Sequence, residues 1–427
     1  MQRFTICLAS RRVAPFALAT LLGSITTGVH AESDPYYLGI SQSLGHNSNI
    51  YRTSNSEVPD KFAVTSLNVG FDQPIGRQRA FANVSARSTR YEDIRVLDNT
   101  GYGLSAGLDW STIERLSGSF GVASNRTLAN FAASGSQQTV PQTMKNTETS
   151  SQANMRVQLG LVSLVSLDAT LSHSQISYSA IEYQFSEVRQ NAASLGLTYR
   201  PSSALTLGAG LRVTRGEYPN VPATSVPVNS GGETETFDRK DLDLTATWAA
   251  SGLSTINARL SYGRSAYDTL TARNFKGATG LLAWAWKPTG KLSFSTSLTR
   301  DSGTETSFFA LGSNRGSAVG DNSVVTNAFA LNTGYEASAK IRLNMDLRYA
   351  RRLLVNAQIV NGVPLGPIEG QDNVTSVTLG ASYAASRNWH LGCNAGQDTA
   401  KPSNPSSGLS TQYKATQASC NLQFTIR

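Results

Sequence analysis

The chain has 427 residues, of which 40% are hydrophobic and 15% charged, with a formal net charge of +8. Past the leader there is no run of eighteen apolar residues, which excludes a transmembrane helix. The basic excess is spread thinly rather than gathered in patches, which argues against a nucleic-acid partner.

Residues 1–31 read as a secretory signal peptide. Arg3, Arg11 and Arg12 give a basic start, Val13 to Ile25 an apolar stretch, and Val29-His30-Ala31 a small-residue cleavage site. Cleavage leaves 34 Lys and Arg against 29 Asp and Glu, near +5. Cys7 lies inside the leader and no cysteine follows the cut, so no lipoprotein anchor is expected. No linker or composition break divides residues 32–427, which are expected to form one domain.

The remaining chain runs as eighteen alternating segments: 35–48, 61–73, 78–92, 100–111, 116–128, 149–162, 164–177, 189–200, 204–216, 239–249, 254–267, 273–287, 291–301, 325–336, 340–353, 373–384, 388–398 and 412–427. Leu104, Ala106, Leu108 and Trp110 share one face, and Gly103, Ser105, Gly107 and Asp109 the other; Leu242, Leu244, Ala246 and Trp248 repeat the pattern. Eight joins are tight. The other nine are longer and rich in Asn, Ser, Thr, Gly and Pro, as at 129–148, 217–238, 302–324 and 399–411. A soluble sandwich shares the alternation, but eighteen strands closed around an apolar interior would enclose a hollow too wide for side chains to fill. A polar interior leaves a channel instead. The expected fold is all-β, a transmembrane antiparallel up-and-down β-barrel of about 18 strands with a water-filled lumen. Outer-membrane barrels have short periplasmic turns, long outer loops and an even strand count, which returns both ends to the periplasm.

Just before the tight turns stands a lone aromatic on the apolar parity: Phe71, Trp110, Tyr199, Trp248, Trp286, Tyr335 and Tyr383, with Trp389 and Phe424 completing the set. Rings at one level, apolar in body and polar at one end in Trp and Tyr, suit an interfacial girdle against outer-membrane lipid and lipopolysaccharide.

In the last segment Ala418, Cys420, Leu422, Phe424 and Ile426 form the alternating apolar pattern by which outer-membrane chains are recognised for assembly; Arg427 stands where an aromatic is usual. Folding the last two segments about a centre near residue 406 sets Cys393 opposite Cys420, Trp389 opposite Phe424 and Leu391 opposite Leu422, all toward lipid. A disulfide suits an oxidising compartment, although opposed strand positions do not always have bonding geometry. Two sulfurs without matching His neighbours do not make a metal site.

No catalytic constellation stands out, and neither an enzyme activity nor a cofactor is expected. His46, His173 and His390 are the histidines past the leader. The His173-Ser174 pair invites comparison with an outer-membrane lipase, but His173 falls on the lipid parity at the outer end of its strand, where an interfacial ring is the plainer explanation. The first strand begins at Tyr36, so an N-terminal plug is not expected.

Inward-facing charges are the functional lead: Arg87, Arg156, Arg212, Arg259, Arg342 and Arg348, with Asp109, Asp168, Asp241, Asp243 and Asp346. One reading has them pairing across strands to stiffen a wet wall, with Arg259 opposite Asp243 or Thr245 and Asp346 between Arg342 and Arg348. The other has guanidinium forks passing an anionic or hydroxyl-rich polymer along the pore.

The segments GEYPN at 216–220, DRKDLDLTATW, INARLSYGRSAYD and RNFKGATGLLAWAWKPTGKLSFSTSLTRD at 273–301, with the opening DPYYLGISQSLGHNSNIYR, resemble the EpsL-type proteins, outer-membrane β-barrels of exopolysaccharide biosynthesis clusters. The resemblance spans nearly the whole mature chain and has no catalytic signature. It implies an outer-membrane channel for secreted polysaccharide, as in biofilm formation, fed by periplasmic polysaccharide-export machinery. A diffusion porin for small solutes and a structural or adhesive barrel are the alternatives that share the same wall.

Overall fold

The computed structural model describes residues 35–113, 115–129, 131, 144–160, 164–221, 233–269, 271–302, 323–360, 363–405 and 409–426. The expected leader at 1–31, residues 222–232, 303–322 and most of 129–148 from the expected loops, and Arg427 lie outside these residues.

Eighteen strands form a single sheet. They are β1 (Tyr36–Asn47), β2 (Asp60–Ile75), β3 (Gln78–Tyr91), β4 (Asn99–Ser111), β5 (Leu116–Leu128), β6 (Thr147–Leu159), β7 (Val165–Tyr178), β8 (Val188–Tyr199) and β9 (Leu205–Val221). The second half continues with β10 (Glu233–Ser251), β11 (Ser254–Tyr267), β12 (Phe275–Trp286), β13 (Leu292–Asp301), β14 (Ser323–Glu336), β15 (Ile341–Val360), β16 (Val363–Ala384), β17 (Trp389–Pro402) and β18 (Tyr413–Ile426). Each strand pairs antiparallel with its chain neighbours, and β1 pairs with both β2 and β18, so the sheet closes on itself. Closure removes the unpaired strand edges that lipid cannot satisfy.

Register keeps one parity facing outward from strand to strand. Leu244 stands between Ala209 and Leu260, Leu171 between Met155 and Ala193, and Leu282 between Ala258 and Leu298. The large apolar side chains of this parity, among them Leu211, Leu244 and Leu260, are exposed to the outside, whereas the opposite parity holds Ser41, Arg212, Asp241, Ser261 and Thr279, all buried. An apolar exterior and a polar interior are the reverse of a soluble protein. They define a transmembrane barrel.

The girdle residues occupy the tight-turn rim. Phe71 stacks on Tyr36 at 5.4 Å, Trp286 on Trp284 at 5.3 Å and on Phe294 at 5.6 Å, and Trp389 meets Phe424 at 4.8 Å. Trp110 faces Gly118, Trp248 faces Leu205 and Ile256, Tyr335 faces Leu292 and Leu343, and Tyr199 and Tyr383 close β8 and β16 at the same rim.

Three stretches expected to be loop are strand instead. The hairpin β15–β16 runs on through 354–360 and 363–372, with Val360 paired to Val363. Pro364 is paired with Ile359, and the register shifts between Asn356 and Gln358, beside Pro367, the kind of irregularity at which a sheet accommodates Pro. Likewise β9 and β10 extend to Val221 and from Glu233, so the expected loop 217–238 is shortened at both ends. β17 extends to Pro402.

At the loop rim a small core forms from Ile50, Tyr51, Leu97 and Phe131, drawn from three different connections. Buried Asp60 accepts hydrogen bonds from the backbone N–H groups of Asp93 and Ile94 at 3.2 and 2.9 Å, tying the β1–β2 and β3–β4 connections together.

Candidate functional site: the charged lumen wall

Every inward-facing charge anticipated from alternation lies on the lumen parity, but the charges do not form one continuous track. They divide into local pairs. Arg156 Nη2 lies 2.7 Å from Asp168 Oδ1 across β6–β7, and Asp168 also accepts from Thr198 Oγ1 at 2.6 Å. Arg87 donates to Asn125 at 3.3 Å. Asp109 lies 3.8 Å from Arg79, whose closer partner is Asp72 at 2.5 Å. Arg342 pairs with Glu336 at 2.5 Å beside the tight turn, so it serves the rim rather than the middle of the lumen. Asp346 and Arg348 sit further along the same face of β15, opposite Asn332 and Ala330.

The densest group is on β9–β11. Asp241 and Asp243 alternate along β10, and Arg212 reaches both, at 3.1 and 3.3 Å. Arg239 clamps Asp241 from the same strand, with Nε and Nη2 within 2.8–3.0 Å of its oxygens, and its Nη1 donates to Ser302. Arg259 is opposite Thr245 in register; its Nη1 donates to Ser261 Oγ at 2.7 Å and lies 3.9 Å from Asp243, to which Ser261 in turn donates. Three guanidinium groups and two carboxylates share this stretch of the wall. Arg212, Arg239 and Asp241 are almost wholly buried, so each charge is offset by a partner at hydrogen-bond distance.

Gly263 makes this packing possible. It faces Asp241 across β10–β11, and a Cβ at that position would meet the carboxylate oxygen at 1.9 Å. The absence of a side chain on β11 lets the carboxylate lie flat against the wall.

Arg239 is missing from the sequence-derived set. It opens the expected segment 239–249. Its parity with Asp241 and Asp243 was the available signal. Arg352, paired with buried Asp372 at 2.5 Å, and Arg52, paired with Asp398 at 3.2 Å, are further pairs near the loop rim. Neither was anticipated, because each depends on a loop conformation or on strand beyond the expected boundary.

Cys393 and Cys420 are opposite one another on β17 and β18 and are joined by a disulfide. His173, on the outward parity, hydrogen-bonds Asn191 at 2.8 Å through its ring, while Ser174 faces inward. Among the described residues no group of His, Cys, Asp and Glu is arranged to hold a metal ion.

The fold and this wall define the class: a closed transmembrane β-barrel of eighteen strands with a polar, charge-paired lumen. No family model matches the chain, and no curated protein matches it. Among solved structures it is similar to OccK1 (OpdK) of Pseudomonas aeruginosa, at 11% identity over 92% of this chain and 99% of that one, with a TM-score of 0.47. It is also similar to Pseudomonas aeruginosa OpdL, at 12% identity over 92% of this chain and 98% of that one, TM-score 0.44. The FrpB iron transporter of Neisseria meningitidis matches at 13% identity over 86% of this chain, TM-score 0.46; the matched region spans 61% of that longer chain. No residue role is carried over from them.

Proposed function

We propose that the protein is an outer-membrane channel, exported to the periplasm by its leader and inserted with the tight turns facing inward, and that its cargo is a secreted exopolysaccharide. The carrying observation is the lumen wall: guanidinium, carboxylate, amide and hydroxyl groups on the inward parity of eighteen strands, a number that leaves room for an aqueous path. Planar bidentate groups are the side chains that bind sugar hydroxyls and carboxylates. The resemblance to EpsL-type barrels supports the export direction and a periplasmic polysaccharide-export partner. Neither supports a choice of polymer.

The test is the fate of polymer in a strain lacking the gene. Trapping of polysaccharide in the periplasm, reversed by the intact gene, is the expected result. Normal secretion with reduced uptake of small solutes would replace the export reading with the diffusion-porin one.

A further inference from the structure

Viewed from the lipid side, the two rims carry different chemistry. Near the tight turns the outward strand positions are aromatic, aliphatic or small and polar, and none of those described is charged. Near the loop rim the outward positions turn basic. Lys240 on β10 stands directly opposite Arg264 on β11, and Arg264 directly opposite Lys276 on β12. Arg215 flanks the row on β9, and Arg300 and Arg351 follow further round the barrel; all six side chains are exposed.

Like charges placed opposite one another across strands lower stability. Asp238 stands opposite Arg215, but among the described pairings no carboxylate is opposite Lys240, Arg264 or Lys276. The contrast with the lumen is plain, since there every buried guanidinium of the β9–β11 group has an acid or hydroxyl beside it. Three adjacent cations with no acid opposite them among the described pairings, on an otherwise lipid-facing surface, break the local rule, and such violations mark functional surface.

Height identifies the partner. Lys276 is ten residues along β12 from Trp286, and Lys240 eight along β10 from Trp248. At about 3.4 Å per residue and a strand tilt near 40°, these rise roughly 20–26 Å above the girdle. The apolar band of an outer-membrane barrel is about 25 Å tall. The row therefore stands at the headgroup level of the opposite leaflet. Adjacent strands are about 4.8 Å apart, so the three cations fall within about 10 Å, a spacing suited to a headgroup bearing more than one phosphate.

We infer that Lys240, Arg264 and Lys276 bind the phosphorylated disaccharide of lipid A, anchoring lipopolysaccharide to this side of the barrel. The inference rests on the outer-membrane placement proposed above and is independent of what the lumen carries. A phosphodiester lipid sets one negative charge against three cations, whereas a bisphosphorylated glycolipid sets two phosphate groups against them and leaves less positive charge unmatched.

The test is native mass spectrometry of the complete mature barrel in detergent, offered bisphosphorylated lipid A, dephosphorylated lipid A, phosphatidylglycerol or inorganic phosphate. Bisphosphorylated lipid A should be retained preferentially, and the Lys240→Gln/Arg264→Gln/Lys276→Gln variant should lose about tenfold or more of that retention. Heat-modifiable mobility on gels verifies that the variant is folded, and the single Arg264→Gln variant, with a smaller loss in the same direction, serves if the triple variant does not fold. Equal retention by the folded variants, or equal retention of phosphatidylglycerol, dephosphorylated lipid A or free phosphate by the native barrel, would overturn the assignment. Single-channel conductance of the same preparations separates the two readings: a conducting barrel that ignores lipid A sinks only this inference, whereas a non-conducting one that retains lipid A sinks the channel.

Discussion

Leu244 offers the sharpest test of which parity meets lipid. It lies on β10 between Ala209 and Leu260, and Trp248 marks the girdle four residues further along. At about 3.4 Å per residue and 40° of tilt, Leu244 stands roughly 10 Å above that girdle, close to the middle of a band about 25 Å tall. Leu244→Arg would hold a guanidinium near the bilayer midplane and should destabilise the barrel by about 2–4 kcal/mol, a factor of roughly 30 to 1,000 in the folding equilibrium. Thr245→Arg is one position away at the same depth but faces the lumen, where water and Asp243, two positions along the same face, offset the Arg259 directly opposite. It should stay within about 1 kcal/mol of the native protein. Reversible urea unfolding in phospholipid vesicles, followed by tryptophan fluorescence, reads both. Equal losses at the two positions would refute the assignment of inner and outer faces.

Other expectations follow from particular contacts. Gly263→Val would drive a side chain into Asp241, so it should lower stability by about 1–3 kcal/mol and change the ion selectivity read from reversal potentials; unchanged selectivity with unchanged stability would mean that the Arg212–Asp241–Arg239 group does not border the ion path. The Cys393–Cys420 disulfide closes a segment with a sequence separation of 27, so its loss in the double Ser variant should lower stability by up to about 3.5 kcal/mol on a chain-entropy estimate. Non-reducing peptide mapping that finds both thiols free would remove the crosslink. Replacing the exposed Arg156 and Arg348 together with Gln should reduce polysaccharide secretion without lowering the amount of barrel in the outer membrane, and normal secretion would return these arginines to a purely structural role. A tag within 222–232 should be labelled on intact cells and one at Thr289-Gly290 should not; the reverse result would invert the barrel.

The barrel was legible because period-two alternation is a property of each strand by itself. Leu104 to Trp110 declare their facing without reference to any partner, and a tight turn fixes the partner's register at once. The opposition of Cys393 and Cys420, across the longer join at 399–411, follows from parity and a hairpin centre near residue 406. What could not be read needed more than one strand. Asp241 is held by a guanidinium from β9 and by another on its own strand, while a glycine on β11 makes room for it; of these only the same-strand Arg239 shows in local alternation. The row Lys240, Arg264 and Lys276 is spread over three segments and becomes a row only in the observed registers. The extended β15–β16 hairpin was missed for a different reason: Pro364, Gly366, Pro367 and Gly370 are loop-forming residues by themselves, and pairing with the partner strand overrides them.

Purified mature barrel reconstituted into a planar lipid bilayer tests most directly whether this polar, charge-paired lumen is a path for solute through a membrane. Insertion should produce uniform stepwise increases in ionic current, and the reversal potential in a salt gradient should shift when Arg212, Arg239 and Arg259 are replaced by Gln. A bilayer that stays electrically sealed at every applied voltage, while the same protein shows a folded barrel by circular dichroism and heat-modifiable mobility, would contradict that role.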